Sequence, residues 1–257
     1  MVDVTSAGTV PADAMTAEPM DASNVMGQVN PARSGRRVSS DVLLMMLADA
    51  RLPTSGHTQS AGLEPALMGG LATDRVTDYC RTRLETVTLV EAATAVVCRH
   101  HALRGLETAS VELAWAARTP SKPMRQASRD LGRAYRRLAL HVWPGAETLV
   151  ELDDALAPSR SRALGLVAAT VGLSPEALAR LVAYDDMQSV LAASLKLLPG
   201  DPVVATAALL ALGPEIEAVA ARVAGLTAAA DIPAPSAPLI EAWAQAHAET
   251  TRRLFRA

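Results

Sequence analysis

Apolar residues recur along most of this chain at three- and four-residue intervals, the spacing that gathers them on one face of an α-helix. Leu43, Met46, Leu47 and Ala50 set the pattern. They predict a helix from Ser40 to Leu52, ended by Pro53, which disfavours helix in the residue before it. A polar loop follows from Thr54 to Gln59. A short helix over 60–68 then ends at Gly69-Gly70, with Pro65 near its first turn, where a missing N–H costs little. Thr73 and Asp74 are placed to cap a long region reaching Leu103, broken near 86–88 and stopped by Gly105. Helices are predicted over 107–118 and 122–142, the second capped by Ser121 and ended by Pro144-Gly145. Shorter ones fall at 147–156 and 160–171. Ser174-Pro175-Glu176 combines a serine cap, a proline at the first position and an acid in the first turn, starting a helix to Leu198. Asp201-Pro202 and Gly213-Pro214 open two more. A proline-rich linker covers 232–238, and a last helix covers 239–254. No stretch alternates cleanly as a strand would. The pattern predicts a compact all-α, single-domain bundle over 39–257 with about ten helices.

Residues 1–38 lie outside this pattern. No Leu, Ile, Phe, Tyr or Trp precedes Leu43, and Pro11, Pro19 and Pro31 interrupt the stretch. Such a segment cannot bury enough apolar surface to offset its chain entropy, so it is predicted to be a disordered N-terminal tail.

Composition narrows the class. Of 257 residues, 51 are Ala and 33 are Leu, both strong helix formers, whereas only seven are aromatic. This excludes a collagen-like or wholly disordered chain and argues against an all-β fold. With 24 basic and 27 acidic residues the net charge is −3, no general reason to expect nucleic acid. Cys80 and Cys98 cannot build a disulfide framework. On one helix they would stand roughly 27 Å apart, too far to bridge. With no signal peptide and no membrane-length apolar run visible, the expectation is a cytoplasmic protein in a reducing compartment.

Most catalytic signatures are absent. The two lysines, Lys122 and Lys196, do not follow glycines, so there is no P-loop. Asp153-Asp154 and Asp185-Asp186 lack the further acid one turn on that a magnesium cage needs. Asp185 falls inside an apolar stripe with Leu178, Leu181 and Leu195, which predicts a hydrogen-bonded structural role. His57, His100, His101, His141 and His247 form no ligand spacing, and His100 and His101 diverge by about 100° on a helix. Ser60 and His57 share a loop, but no strand leads into it and there is no GxSxG; a turn with a serine helix cap is the better reading.

Two features suggest partners. Over 122–142, Met124, Ala127, Leu131, Ala134, Leu138 and Val142 form one face. Arg125, Arg129, Arg133 and Arg136 lie within about 80° of one another on the opposite face, with Arg137 beside them. The stripe reads as a solvated face with local ion pairs, as a docking surface for an acidic partner, or, third, as a nucleic-acid contact. The C-terminus carries the only phenylalanine, Phe255, between arginines. That arrangement suits a frayed end or an anchor into a partner.

Four stretches together resemble the UreF family of urease accessory proteins, particularly its actinobacterial branch. They are Leu43-Leu44 through Asp49–His57 to Ser60–Glu64; Arg125–Ser128 with Leu131–Arg133; Leu191–Pro199; and His247 with Arg253-Leu254-Phe255. The resemblance spans about residue 41 to the C-terminus, though Lys196 stands where the family usually has arginine. It implies an all-α, dimeric, non-catalytic protein with no cofactor. Such a protein bridges the accessory protein UreD (also called UreH) and the GTPase UreG, for nickel insertion into apo-urease. Regulation of the GTPase step is part of that implication. By the same resemblance, Leu43, Leu47, Arg253, Leu254 and Phe255 would face UreD. Pro53, Gly56, His57, Ser60, Gly62 and Glu64, with Arg125, Arg129 and Arg133, would form a further partner surface. The alternatives are an all-α magnesium-dependent enzyme and a helical nucleic-acid-binding regulator.

Overall fold

The computed structural model describes residues 38–54, 56–153, 157–250 and 254–255. The N-terminal tail expected over 1–38 therefore lies, save for Val38, outside the described residues. Within them the chain forms eleven α-helices and no strand. These are α1 (Ser40–Leu47), α2 (Leu63–Met68), α3 (Val76–Glu85), α4 (Val87–Leu103), α5 (Ala109–Arg118) and α6 (Lys122–Val142). They continue with α7 (Arg160–Val171), α8 (Pro175–Leu197), α9 (Pro202–Ala211), α10 (Gly213–Val223) and α11 (Pro238–Ala248). The all-α expectation holds.

The core is built around α4, α7 and α8. Every residue of α7 from Arg160 to Ala169 is buried, as are ten of the 17 residues of α4 and ten of the 23 of α8. A helix buried on all sides must be small on the faces its neighbours approach, and glycines supply that here. A Cβ on Gly165 would lie 2.6 Å from the Ala95 carbonyl oxygen of α4. One on Gly132 of α6 would lie 2.0 Å from the Pro158 carbonyl oxygen that leads into α7. Around this centre α6 covers α7, α10 covers α8, and α11 crosses α2 and α6.

Caps account for most starts. Ser39, Ser159, Ser174 and Asp201 accept the first free backbone N–H groups of α1, α7, α8 and α9. Three boundary expectations fail for local reasons. The first helix stops at Leu47, not Leu52, because the Asp49 carboxylate accepts the Arg51 N–H at 2.9 Å and its guanidinium at 2.8 Å, turning the chain away. Ser121 precedes α6 without capping it, and its hydroxyl is buried without a hydrogen-bond partner. Likewise, neither Thr73 nor Asp74 caps; they form a 3-10 turn, Thr73–Arg75, ahead of α3. The break expected near 86–88 occurs at Thr86, whose φ of −122° and ψ of −92° are not helical. The segment Glu147–Asp153 is a 3-10 helix, and α11 ends at Ala248. Cys80 and Cys98 are free and buried on separate helices, α3 and α4. No single helix among the described residues is long and apolar enough to cross a membrane.

Candidate functional site

The loop between α1 and α2 is built to turn tightly. Ser60 is buried, and its hydroxyl accepts the Glu64 N–H at 3.3 Å, although the N-cap position of α2 falls on Gly62 and not on the serine expected from the sequence. Ala61 and Gly62 both take positive φ, 47° and 78°. The Tyr79 hydroxyl pins the turn by donating to the Ala61 carbonyl at 2.9 Å. A Cβ on Gly62 would meet that hydroxyl oxygen at 2.7 Å, so glycine is required on both conformational and steric grounds. Pro53 is exposed and Gly56 half-buried. The side chain of His57 and all of Ser55 lie outside the described residues.

Beneath this loop lies a cavity of about 100 Å³. Arg83 of α3, Tyr135 of α6, Arg160 of α7 and Asp185 and Asp186 of α8 line it. Arg83 holds Asp186 through two hydrogen bonds of 2.8 and 3.1 Å, and Thr88 donates a third. Arg160 donates to Asp185 at 2.6 Å. Burial pushes the Asp186 carboxyl up, but the Arg83 charge and hydrogen bonds, Arg160 and Thr88 outweigh it and leave it below the usual range. For Asp185 burial wins over Arg160, so its carboxyl is raised. The structural role expected for Asp185 fits this geometry. Asp186, which periodicity passed over, is the more deeply buried carboxylate. Its partner Arg83 stands 103 positions away, so no local pattern announces the pair.

More internal charge surrounds α7. Glu91 accepts from Trp115 at 2.8 Å and also from Ser128 and Ser161. Glu112 accepts the Ser159 N–H at 3.1 Å and its hydroxyl at 2.6 Å; burial still raises its carboxyl against those bonds. Glu151 joins Thr108 to Arg162, 3.2 Å away. No group of three His, Cys, Asp or Glu side chains suited to a metal gathers among the described residues. The carboxylates of Asp185 and Asp186 are already engaged by arginines.

The C-terminal tail closes the other side. Glu64 is buried, and its two carboxylate oxygens accept the successive backbone N–H groups of Leu254 at 2.6 Å and Phe255 at 2.8 Å. His247 Nε2 stands 3.2 Å from the same carboxylate. The Phe255 ring is 5 % exposed, with the Lys196 ammonium 5.1 Å from its centre. Phe255 and Leu47 line a second cavity of about 100 Å³, so the end of α1 and the tail meet at one place. Arg253 lies outside the described residues.

Several expected partner residues thus face inward. Leu47, Ser60, Glu64 and Phe255 are buried, and Leu43 is half-buried. Besides Ser40 and Asp41, α1 exposes Val42 and Met45, the latter 64 % accessible, and Leu254 is exposed in the tail. The arginine stripe is spent largely on the chain itself. Arg125 donates to the Thr119 and Pro120 carbonyls at 2.6 and 2.8 Å, tying the end of α5. Arg129 lies over the Trp115 ring and 3.9 Å from Glu112, while Arg136 donates to the Leu152 carbonyl. Arg133 pairs with Asp130 on the surface. Elsewhere α9 carries no charge and packs only the half-buried Ala205, Ala208 and Leu209 against the core; Val203, Val204 and Leu210 are exposed, Leu210 to 81 %.

Fold and site together define a class: an all-α protein whose charged chemistry is locked in internal pairs and whose α1 and α9 present apolar faces to solvent. The UreF family model matches residues 72–213, more than half of the chain. Three proteins named urease accessory protein UreF are similar over nearly their whole length. The Mycolicibacterium vanbaalenii protein is 36 % identical over 222 residues, 85 % of this chain and 99 % of the relative. That of Mycobacterium sp. strain JLS is 39 % identical over 215 residues, 82 % and 96 % of the two chains. The Mycobacterium tuberculosis protein is 34 % identical over 223 residues, 85 % and 99 % of the two. The chain belongs to the UreF family of urease accessory proteins.

Proposed function

We propose that this protein is a non-catalytic cytoplasmic scaffold for urease maturation. It joins a UreD/UreH-type protein to a UreG-type GTPase on apo-urease for nickel insertion, and its differential binding to the GTPase's states regulates that step. The observation that carries the reading is that Leu47 of α1 and Phe255 of the tail line one cavity, while Val42, Met45 and Leu254 of the same two segments are exposed. A single apolar partner surface made from two distant segments suits the UreD-type protein. The GTPase-type partner is assigned to the loop carrying Pro53 and Gly56 together with Arg133. A homodimer is assigned to α9, because an uncharged helix meets its own copy without like-charge repulsion.

The test is co-purification of the UreD-type protein with wild type and with Met45→Glu and Leu254→Glu variants. Each charge is expected to reduce recovery at least tenfold while leaving the helical circular dichroism unchanged. Undiminished recovery with both variants would remove α1 and the tail from the interface.

A further inference from the structure

Side chains that carry sulfur are the ones peroxides oxidise most readily. Both cysteines are buried, and burial raises both thiols, Cys80 to about 12, so neither supplies a reactive thiolate. The methionines differ far more among themselves. Met187 is fully buried, Met46 and Met124 are half-buried, and Met45 and Met68 are exposed. Met45 and Met46 are neighbours on α1 with opposite surroundings. Met46 packs against the core with Leu44, Leu47 and Ala48, whereas Met45 stands in solvent with Val42 one turn before it. Oxidation of Met45 therefore leaves the core packing intact, while the same change at Met46 would disturb it.

Position gives this exposed thioether its consequence. Met45 belongs to the apolar surface assigned above to the UreD-type partner, and the inference rests on that reading. Met68, exposed at the end of α2, lies outside the assigned surface and serves as the comparison. We infer that Met45 is a redox-sensitive modification site, oxidised by hydroperoxides in the free protein and shielded in the complex. Its sulfur attacks one oxygen of hydrogen peroxide; an S–O bond forms and the O–O bond breaks. Sulfur gives up two electrons, and the other oxygen takes the proton of the transferred one and leaves as water. The product is a polar sulfoxide in place of a flexible apolar side chain. Seated against an apolar partner, it holds an acceptor that neither water nor a donor satisfies, which opposes docking. Thiol-dependent sulfoxide reduction reverses the step, giving a disulfide and water. Oxidant thus separates unassembled chains, which lose their docking face, from assembled ones, which keep it.

The experiment treats the full chain with hydrogen peroxide, quenches with catalase and then offers untreated UreD-type protein, while peptide mass spectra locate each sulfoxide. Once Met45 is converted, partner recovery is expected to fall at least tenfold with the helical circular dichroism unchanged. Methionine sulfoxide reductase with dithiothreitol should restore it. Met45→Leu, compared with its own untreated sample, should lose less than twofold. In the preformed complex Met45 should oxidise at least tenfold more slowly than in the free chain, while Met68 keeps its rate. Undiminished recovery by chains carrying Met45 sulfoxide would overturn the inference and leave the reading of α1 standing. A fall of equal size in Met45→Leu would do the same. Equal Met45 rates in free and bound chains, or no recovery by untreated wild type, would remove α1 from the interface and the inference with it.

Discussion

At the residue scale, buried ion pairs decide which single changes are severe. Removing one partner of a buried pair strands the other charge, at a cost of roughly 3–5 kcal/mol. Asp186→Asn should therefore destabilise the fold by about that amount at neutral pH, read from urea unfolding, because Arg83 remains 8 % exposed with no carboxylate. The pH dependence follows from the same group. Its carboxyl is depressed in the folded state, so its contribution is fully present above the unfolded value of about 3.9. That contribution disappears as pH falls through the folded value. Acid unfolding of the wild type should thus show a loss below about pH 4 that is diminished in Asp186→Asn. Asp185 and Glu112, whose carboxyls are raised, act in the opposite sense: their ionisation above the unfolded range costs stability that protonation restores. If both proteins lose stability in parallel with acid, Asp186 is not the group responsible. A second residue-scale expectation concerns Gly132. Alanine there would place a methyl 2.0 Å from a backbone oxygen, which forces α6 off the start of α7. The cost is expected to be about 1–3 kcal/mol, as for overpacked cores, and an unchanged unfolding midpoint would contradict the close approach.

At the scale of elements, local signals placed helices well and assigned their faces less well. The limits of α6 and α7 fall where the sequence places them, although of the two flanking serines only Ser159 caps its helix. Ser174→Ala should cost about 1 kcal/mol, the worth of a serine cap, since its hydroxyl accepts the Ala177 N–H at 3.1 Å. The arginine face of α6 was equally legible as a stripe, but not its use. Arg125 and Arg136 found carbonyls on neighbouring segments, which no periodicity within one helix reveals. The helix α9 is uncharged and rich in Ala, Val and Leu. In the fold its Leu210 is 81 % exposed. If this face pairs with a second copy, Leu210→Glu should convert a dimer to a monomer in light scattering. A wild-type protein already monomeric at micromolar concentration would refute the assignment.

At the scale of the whole molecule, the decisive expectation is biological. Structural urease subunits co-expressed with the other accessory proteins should yield nickel-loaded, active enzyme only when this chain is present. Equal nickel content and activity without it would mean that the chain has diverged from the maturation role. By itself the sequence determined the all-α class, the starts of α8 and α9 at Ser174-Pro175 and Asp201-Pro202, and the resemblance that family membership bears out. These are local or compositional properties, readable from neighbours along the chain. Tertiary structure alone decided that Leu47, Glu64 and Phe255 turn inward, that Arg83 meets Asp186, and that α1 and the C-terminal tail share a wall. The reason is physical: such contacts join residues more than a hundred positions apart, such as Glu64 and the tail amides. Only the packing of α4, α7 and α8 into a common core brings those segments to the same place.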